Sequence, residues 1–432
     1  MRRIFGLSLA VALALAASPA TAQVTGRIVG PGATRIELAV SPLAGDGEAA
    51  NLGRRFSEIV AKNLALSGYF KILDSKAYVE GPMPIDLDKI DFGSWRLIGA
   101  RALVKGTLQS SGSEVVVEAR LFDVAQQQQL GGQRFHAPSS DLPRLARRFA
   151  DEVMRYLTGE PGPFDSRIAF ASRRGGRSKE IHLMSVDGID TTGVTKNRTI
   201  NLAPSWNPDG GSILFTSFQG RGGADLYRYD LGSKNERRIT SGGGGLNLGG
   251  RFSPDGGKIA ISIERNGNSE IALIEPSGQL IKRLTNSPEI DVSPTWSPDG
   301  SKIAFVSART GNPQIYVMGA DGSGVRRLTY QGSYNTSPSW SPKGDLIAYV
   351  SRDQGFNVFT VDVASGKASQ VTSGQGNNED PSFSPDGRYV VFSSTRVGRP
   401  SLFLSDVSGS HQVQLTETGG DDTSPSWSPR LQ

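Results

Sequence analysis

Pro294-Thr-Trp-Ser-Pro-Asp-Gly300 decides the fold, because five near-copies of it accompany it through the second half of the chain. They are Pro204-Ser-Trp-Asn-Pro-Asp-Gly210, Phe252-Ser-Pro-Asp-Gly256, Pro338-Ser-Trp-Ser-Pro-Lys-Gly344, Pro381-Ser-Phe-Ser-Pro-Asp-Gly387 and Pro425-Ser-Trp-Ser-Pro429. The aromatic anchors Trp206, Phe252, Trp296, Trp340, Phe383 and Trp427 are separated by 46, 44, 44, 43 and 44 residues. Between them recur a β-rich phrase such as Ile303-Ala-Phe-Val-Ser307, a third such as Ile315-Tyr-Val-Met318, and a fourth ending in Leu-Thr, as in Arg327-Leu-Thr329. Four short strands in about 44 residues, repeated six times, predict a six-bladed β-propeller.

Turn chemistry agrees. Pro fixes φ where the turn begins, Asp follows, and Gly closes it. The repeated aspartates Asp209, Asp255, Asp299 and Asp386 therefore read as turn formers, not as a carboxylate cluster. The chain enters the repeat at a second phrase, Arg167 to Ser172, and leaves on a first phrase, Thr423 to Pro429. The last strand must then complete the blade that the first strands began, which closes the ring without open edges.

Upstream the pattern changes. Arg2 and Arg3 precede an apolar run, Ile4 to Ala17, and Ala20-Thr-Ala22 offers a small-residue cleavage site. Residues 1–22 read as a secretory signal, too short to span a membrane. Residues 23–33 are a Gly- and Pro-containing N-terminal segment. Residues 34–160 read as a mixed α/β domain. Ile36 to Val40 is a strand, and Ala49 to Ser67 a helix with Leu52, Phe56, Val60 and Leu64 on one face. Strands follow near Phe70–Leu73, Ala102–Leu108, Val115–Phe122 and Leu130–Phe135, and a last helix over Leu142–Leu157. Gly159-Glu-Pro-Gly-Pro163 breaks it and makes a hinge into the propeller, residues 161–432.

Composition excludes several chemistries. There is no Cys, so neither disulfides nor thiolate chemistry are available. The three histidines, His136, His182 and His411, lie far apart in sequence, and no nucleophile-elbow motif occurs. Without residues 1–22 the chain carries 45 basic and 42 acidic side chains, and no basic stripe for nucleic acid. No cofactor and no catalytic residue is expected, and a calcium ion at the mouth carboxylates would be structural or bridging. The competing readings are a propeller hydrolase or lyase and a glycan binder with Tyr330 and Tyr334 as stacking platforms.

One further pattern concerns binding. Five residues before each anchor stand Asn201, Asn247, Asp291, Asn335, Asn378 and Asp422. The loop from an outermost strand to the next innermost strand runs inward over one face, so these six are expected to ring the channel mouth, with Glu289, Glu379 and Asp421 nearby. Loops between second and third strands bring Arg173, Arg174, Arg177, Arg221, Arg265, Arg309, Arg352, Arg396 and Arg399 to the same face as a basic rim. Asx turns explain the repeated amides equally well.

The secretory start, the α/β domain and the six Trp-Ser-Pro-Asp-Gly repeats together resemble the TolB family, the periplasmic propeller component of Tol–Pal systems, over essentially the whole chain. The resemblance implies a monomeric, non-enzymatic periplasmic scaffold that supports envelope integrity and outer-membrane constriction during cell division. It implies docking of the peptidoglycan-associated lipoprotein (Pal) at the mouth, on loops that include Asn201, Leu246, Asn247, Gly249, Asp291, Val292, Ser293, Asn335, Asn378, Glu379 and Asp422. It implies capture of TolA by the segment carrying Gln23, Val24, Arg27, Ile28 and Val29, with neither nucleic acid nor membrane insertion involved. Strand formers mixed with Gly and Pro in that segment suit addition to a partner's sheet edge.

Overall fold

The computed structural model describes residues 35–431 except 84, 175, 221, 242–244, 353 and 418. The proposed signal and the whole segment 23–33, with Gln23, Val24, Arg27, Ile28 and Val29, lie outside the described residues, as does Arg221.

The first domain is a five-stranded sheet in the order β2-β1-β3-β4-β5, from β1 (Ile36–Val40), β2 (Phe70–Ile72), β3 (Ala102–Ser111), β4 (Glu114–Asp123) and β5 (Gln128–Pro138). β1 pairs in parallel with β2 and β3, and β3, β4 and β5 form an antiparallel meander. Helices α1 (Glu48–Leu66) and α3 (Leu142–Thr158) cover one face, with Phe56 and Phe149 ring centroids 6.1 Å apart. The short α2 (Phe92–Leu97), capped by the Asp91 carboxylate, lays Phe92 and Trp95 against the other face. There Lys105, wholly buried, is neutralised by Glu80 at 2.7 Å, and Glu80 also accepts the Trp95 indole N–H.

The propeller has the six expected blades. Blade I holds Asn201–Trp206, Ser212–Ser217, Asp225–Asp230 and Glu236–Arg238, from the axis outward. Blades II to V repeat it with innermost strands Asn247–Phe252, Asp291–Trp296, Asn335–Trp340 and Asn378–Phe383. In blade VI the last strand, Asp421–Trp427, is innermost and pairs with Arg167–Arg173, so the two ends of the chain close the ring.

Every innermost strand is interrupted by a bulge whose residue has positive φ: Ala203, Gly249, Ser293, Ser337, Asp380 and Ser424, between 50° and 63°. Five of the six are not glycine, at a cost of about 1 kcal/mol or more each. Five of the bulges are followed by Pro, which a broken ladder accommodates because no N–H is needed there. The anchor rings pack between blades, and the indole N–H groups of Trp206 and Trp296 reach the carbonyls of Ser426 and Arg251 on neighbouring innermost strands, at 3.0 and 3.1 Å.

The expected hinge is instead a fastened joint. Gly159 ends α3 in the left-handed conformation, but the Asp151 carboxylate accepts the backbone N–H groups of Phe164 and Asp165. Arg388 and Arg430 donate to the Pro161 carbonyl, and Arg430 also to that of Gly162. Further along the interface Arg147 of α3 bonds Asp187 at 2.7 Å and Asp190 at 2.6 Å, and Asn63 of α1 bonds Asp187. One hydrophobic core runs through both domains, joining Leu64, Phe149 and Met154 to Tyr389, Leu402 and Trp427. The α/β domain thus grips blades V and VI on the face that carries the Pro-Asp-Gly turns, leaving the opposite face free of it.

Candidate docking site at the propeller mouth

The six repeated Asn and Asp residues sit at the ends of the innermost strands on that opposite face, but they do not look out of it. All six are at most 1 % exposed. Each lies against the third strand of the preceding blade. Asn201 Nδ2 donates to Glu180, Asn247 to Asp225, Asn335 to Gln314 and Asn378 to Asn357, at 2.8–3.1 Å. The Thr that ends the fourth phrase completes the device. Thr195, Thr240, Thr285, Thr329 and Thr372 donate their hydroxyls to Glu180, Asp225, Glu270, Gln314 and Asn357. The same hydroxyls accept the N–H of the following third-strand residue, such as Ile181 and Leu226. Buried polar groups must be paired, and here the pairing welds blade to blade.

The expectation that Asn201, Asn247, Asp291, Asn335, Asn378 and Asp422 present their side chains to a ligand is therefore corrected: their hydrogen-bonding capacity is turned inward. Part of the basic rim is consumed likewise. Arg309 bonds Asp291 and Arg396 bonds Asn378, each at 2.9 Å, tying the loop between second and third strands to the incoming one. Arg173, Arg265, Arg352 and Arg399 remain exposed.

The face also exposes a set of apolar side chains. The residue just before the buried Asn or Asp is Ile200, Leu246, Ile290 and Tyr334 in four successive blades, and Asn377 and Asp421 in the other two. Ile200 and Ile290 are each 41 % exposed, Leu246 is half-buried, and Tyr330 stands out at 74 %. Phe218 and Val397 extend the exposed apolar surface. Across the mouth, blades V and VI present Glu379, Asp380 and Asp421, with Lys179 and Arg173 alongside. Burial, reinforced by Asp380, pushes the Glu379 carboxyl above its usual range. Val292 and Glu379 are half-buried at the rim, while Gly249 and Ser293 lie deeper, in the bulge ring that narrows the channel. Sequence reasoning passed over Ile200 and Phe218, although four apolar residues at one repeat position, Ile290 among them, were a readable signal.

Among the described residues no catalytic set assembles. His182 packs on Phe170 within a blade, and at the joint between domains His411 accepts Arg35 at Nδ1 and donates Nε2–H to the Leu66 carbonyl. Among the described residues no three acidic or His side chains converge as a metal site. The Pro-Asp-Gly aspartates hold their own turns, Asp299 accepting Ser297 and Ser301, which lowers its carboxyl to about 2. No described helix is long and apolar enough to cross a membrane.

Residues 154–431 match the family described as the TolB beta propeller domain, and residues 25–130 the TolB amino-terminal domain. The chain belongs to the TolB family. Over 301 residues, 68 % of each chain, it is 40 % identical to the Tol-Pal system protein TolB of Anaeromyxobacter dehalogenans. It is 38 % identical over 266 residues, 60 % of each chain, to that of Desulfosudis oleivorans. The crystal structure of TolB from Acinetobacter baumannii superposes with a TM-score of 0.81 at 29 % identity, covering 93 % of this chain and 98 % of the other. As the propeller of this family, the chain is a non-enzymatic component of the cell envelope, and both its fold class and the resemblance read from its repeats are correct.

Proposed function

We propose that this protein is the periplasmic scaffold of a Tol–Pal system. It docks the peptidoglycan-associated lipoprotein on the mouth loops and TolA through residues 23–33, and so serves outer-membrane constriction at division. The observation that carries this reading is the arc of exposed apolar side chains, Ile200, Ile290, Tyr330 and Tyr334, beside an acidic sector, on the face the α/β domain leaves open. The loops bearing them are held by the buried amide and Thr network, so little conformational entropy is lost when a protein docks. Apolar anchors ringed by charge are the usual make-up of a binding hot spot.

Calorimetric titration of residues 23–432 with the soluble domain of the host's lipoprotein tests it. One-to-one binding is expected, and Ile290→Asp with Tyr334→Ala should weaken it by at least about tenfold. Unchanged affinity in that variant would move the site off the mouth. Deleting residues 23–33 should abolish TolA binding, and retained TolA binding would refute that assignment.

A further inference from the structure

On the other face, ringed by the Pro-Asp-Gly turns, the channel widens into a vestibule of about 530 Å³. Its wall is the six aromatic anchors, Trp206, Phe252, Trp296, Trp340, Phe383 and Trp427, with the turn prolines between them. At its floor, lining both this vestibule and the narrow chamber at the bulge ring, is Arg251. This arginine breaks the repeat: the equivalent positions are Ser205, Thr295, Ser339, Ser382 and Ser426.

The guanidinium is poorly compensated. Its Nη1 donates to the Pro204 carbonyl at 3.0 Å, its one side-chain hydrogen bond among the described residues, and no described carboxylate lies within ion-pair distance. Asp380, in the blade across the axis, is the acid whose field it feels, but that carboxylate is held by Ser337 and Ser424 at 3.2 and 3.0 Å. Desolvation pulls the Arg251 pKa below its ordinary value, yet a guanidinium stays charged at physiological pH. The half-buried guanidinium lines the cavity with one of its five donors bonded to protein, so its planar fork is open to a carboxylate.

We infer that the vestibule is a binding site for an organic carboxylate with an apolar body, its carboxylate on Arg251 and its body against the aromatic wall. A bare inorganic anion would leave that wall unused. The carboxylate could be a small free acid or the C-terminal residue of a polypeptide, two sources with the same chemistry. The site is on the opposite face from the proposed lipoprotein dock, so the two proposals fail separately.

Four of the five tryptophans line the vestibule, so indole fluorescence reports occupancy. Residues 23–432 are titrated with 3-phenylpropionate, with its neutral amide, with acetyl-Ala-Ala-Phe bearing a free carboxylate, and with sodium phosphate. Saturable change is expected with both carboxylates, at least about tenfold weaker with the amide and in Arg251→Ser, which restores the residue type of the other blades. Arg251→Lys, keeping charge but not the fork, should fall between. Tighter binding of the peptide assigns a polypeptide terminus, and tighter binding of the free acid a small molecule. Equal binding of the amide, undiminished binding in a folded Arg251→Ser variant, phosphate binding as well as either acid, or no saturation would overturn the assignment.

Discussion

Asp291→Asn should stabilise the protein, although it removes a charge from a buried ion pair. In blade III, Asp291 Oδ2 accepts Arg309 at 2.9 Å, but Oδ1 is buried without a hydrogen-bond partner, and the Ser307 and Thr285 hydroxyls and the Glu270 carboxylate lie close to this carboxyl. Blade V shows the alternative. There Asn378 accepts Arg396 through Oδ1 at 2.9 Å and donates Nδ2 to Asn357 at 3.1 Å. An asparagine at 291 can copy that arrangement, with Glu270 as acceptor. Removing an unpaired buried acceptor and adding a hydrogen bond to a carboxylate is worth about 2–3 kcal/mol. The weaker attraction to the partly exposed Arg309 costs about 1 kcal/mol. The net gain is about 1–2 kcal/mol, a rise in melting temperature of about 1–2 °C for a chain this long. Burial first, then Glu270, pushes the Asp291 carboxyl above its ordinary range. An acid whose pKa is raised by folding takes up a proton in the folded state, so wild-type stability falls as pH rises through that window. Below it, protonated Asp291 supplies its own donor. Calorimetry should therefore show the advantage of the variant largest near pH 8 and shrinking toward pH 4, with lipoprotein affinity unchanged. A destabilised variant, a pH-independent gain, or a tenfold loss of lipoprotein binding at wild-type stability would refute the reasoning.

Arg147→Ala should cost about 3–5 kcal/mol in chemical denaturation, because it strands the buried Asp187 carboxylate at the domain joint; a loss under 1 kcal/mol would mean the joint is held elsewhere. Deleting residues 420–432 removes the innermost strand of blade VI, and should abolish cooperative unfolding of the propeller; a sharp transition retained in calorimetry would contradict closure by the two chain ends. Burial pushes the Asp151 carboxyl up to about 8 from an ordinary 3.8, so its contribution to wild-type melting temperature should be lost as pH rises from about 4 to 8 and level off above, a decline that Asp151→Asn should lack; parallel curves would deny Asp151 that role.

The propeller was legible because each blade repeats a local device: a turn, an anchor ring and four short β phrases all lie within about 44 residues. The inward-turned amides were visible as a pattern but not in direction. Whether an Asn at a strand end faces water depends on what the preceding blade sets against it. For Asn201, Asn247, Asn335 and Asn378 that is Glu180, Asp225, Gln314 and Asn357. These acids and amides recur 21 or 22 residues upstream, with a Thr six or seven residues before each Asn, so the network was encoded as three co-periodic polar positions. Arg251 was equally readable as the one charged residue at a Ser or Thr position. The joint between domains left no such trace. Arg147 meets Asp187, and Tyr389 donates to the Ser67 carbonyl, across 40 and 322 residues with no repeat to compare.

That joint and the ring closure belong to one argument. Between blades V and VI, Ser401 stands where the other third strands carry an acid or amide, and its hydroxyl has no partner among the described residues. Blade VI is also the one blade assembled from both ends of the propeller, its innermost strand meeting the first propeller strand without chain continuity, so this seam borders the ring closure. It is the seam the α/β domain covers. Asn63 and Arg147 hold the Asp187 turn of blade VI, while Ser67 receives Tyr389 and Leu66 receives His411 from blade V. Trp427 of the closing strand donates its indole N–H to Ser166, just ahead of the first propeller strand, at 2.7 Å. The shared core of Phe149, Met154, Tyr389, Leu402 and Trp427 then adds apolar burial across the same seam. The first domain is thus a clamp on the closure of the second.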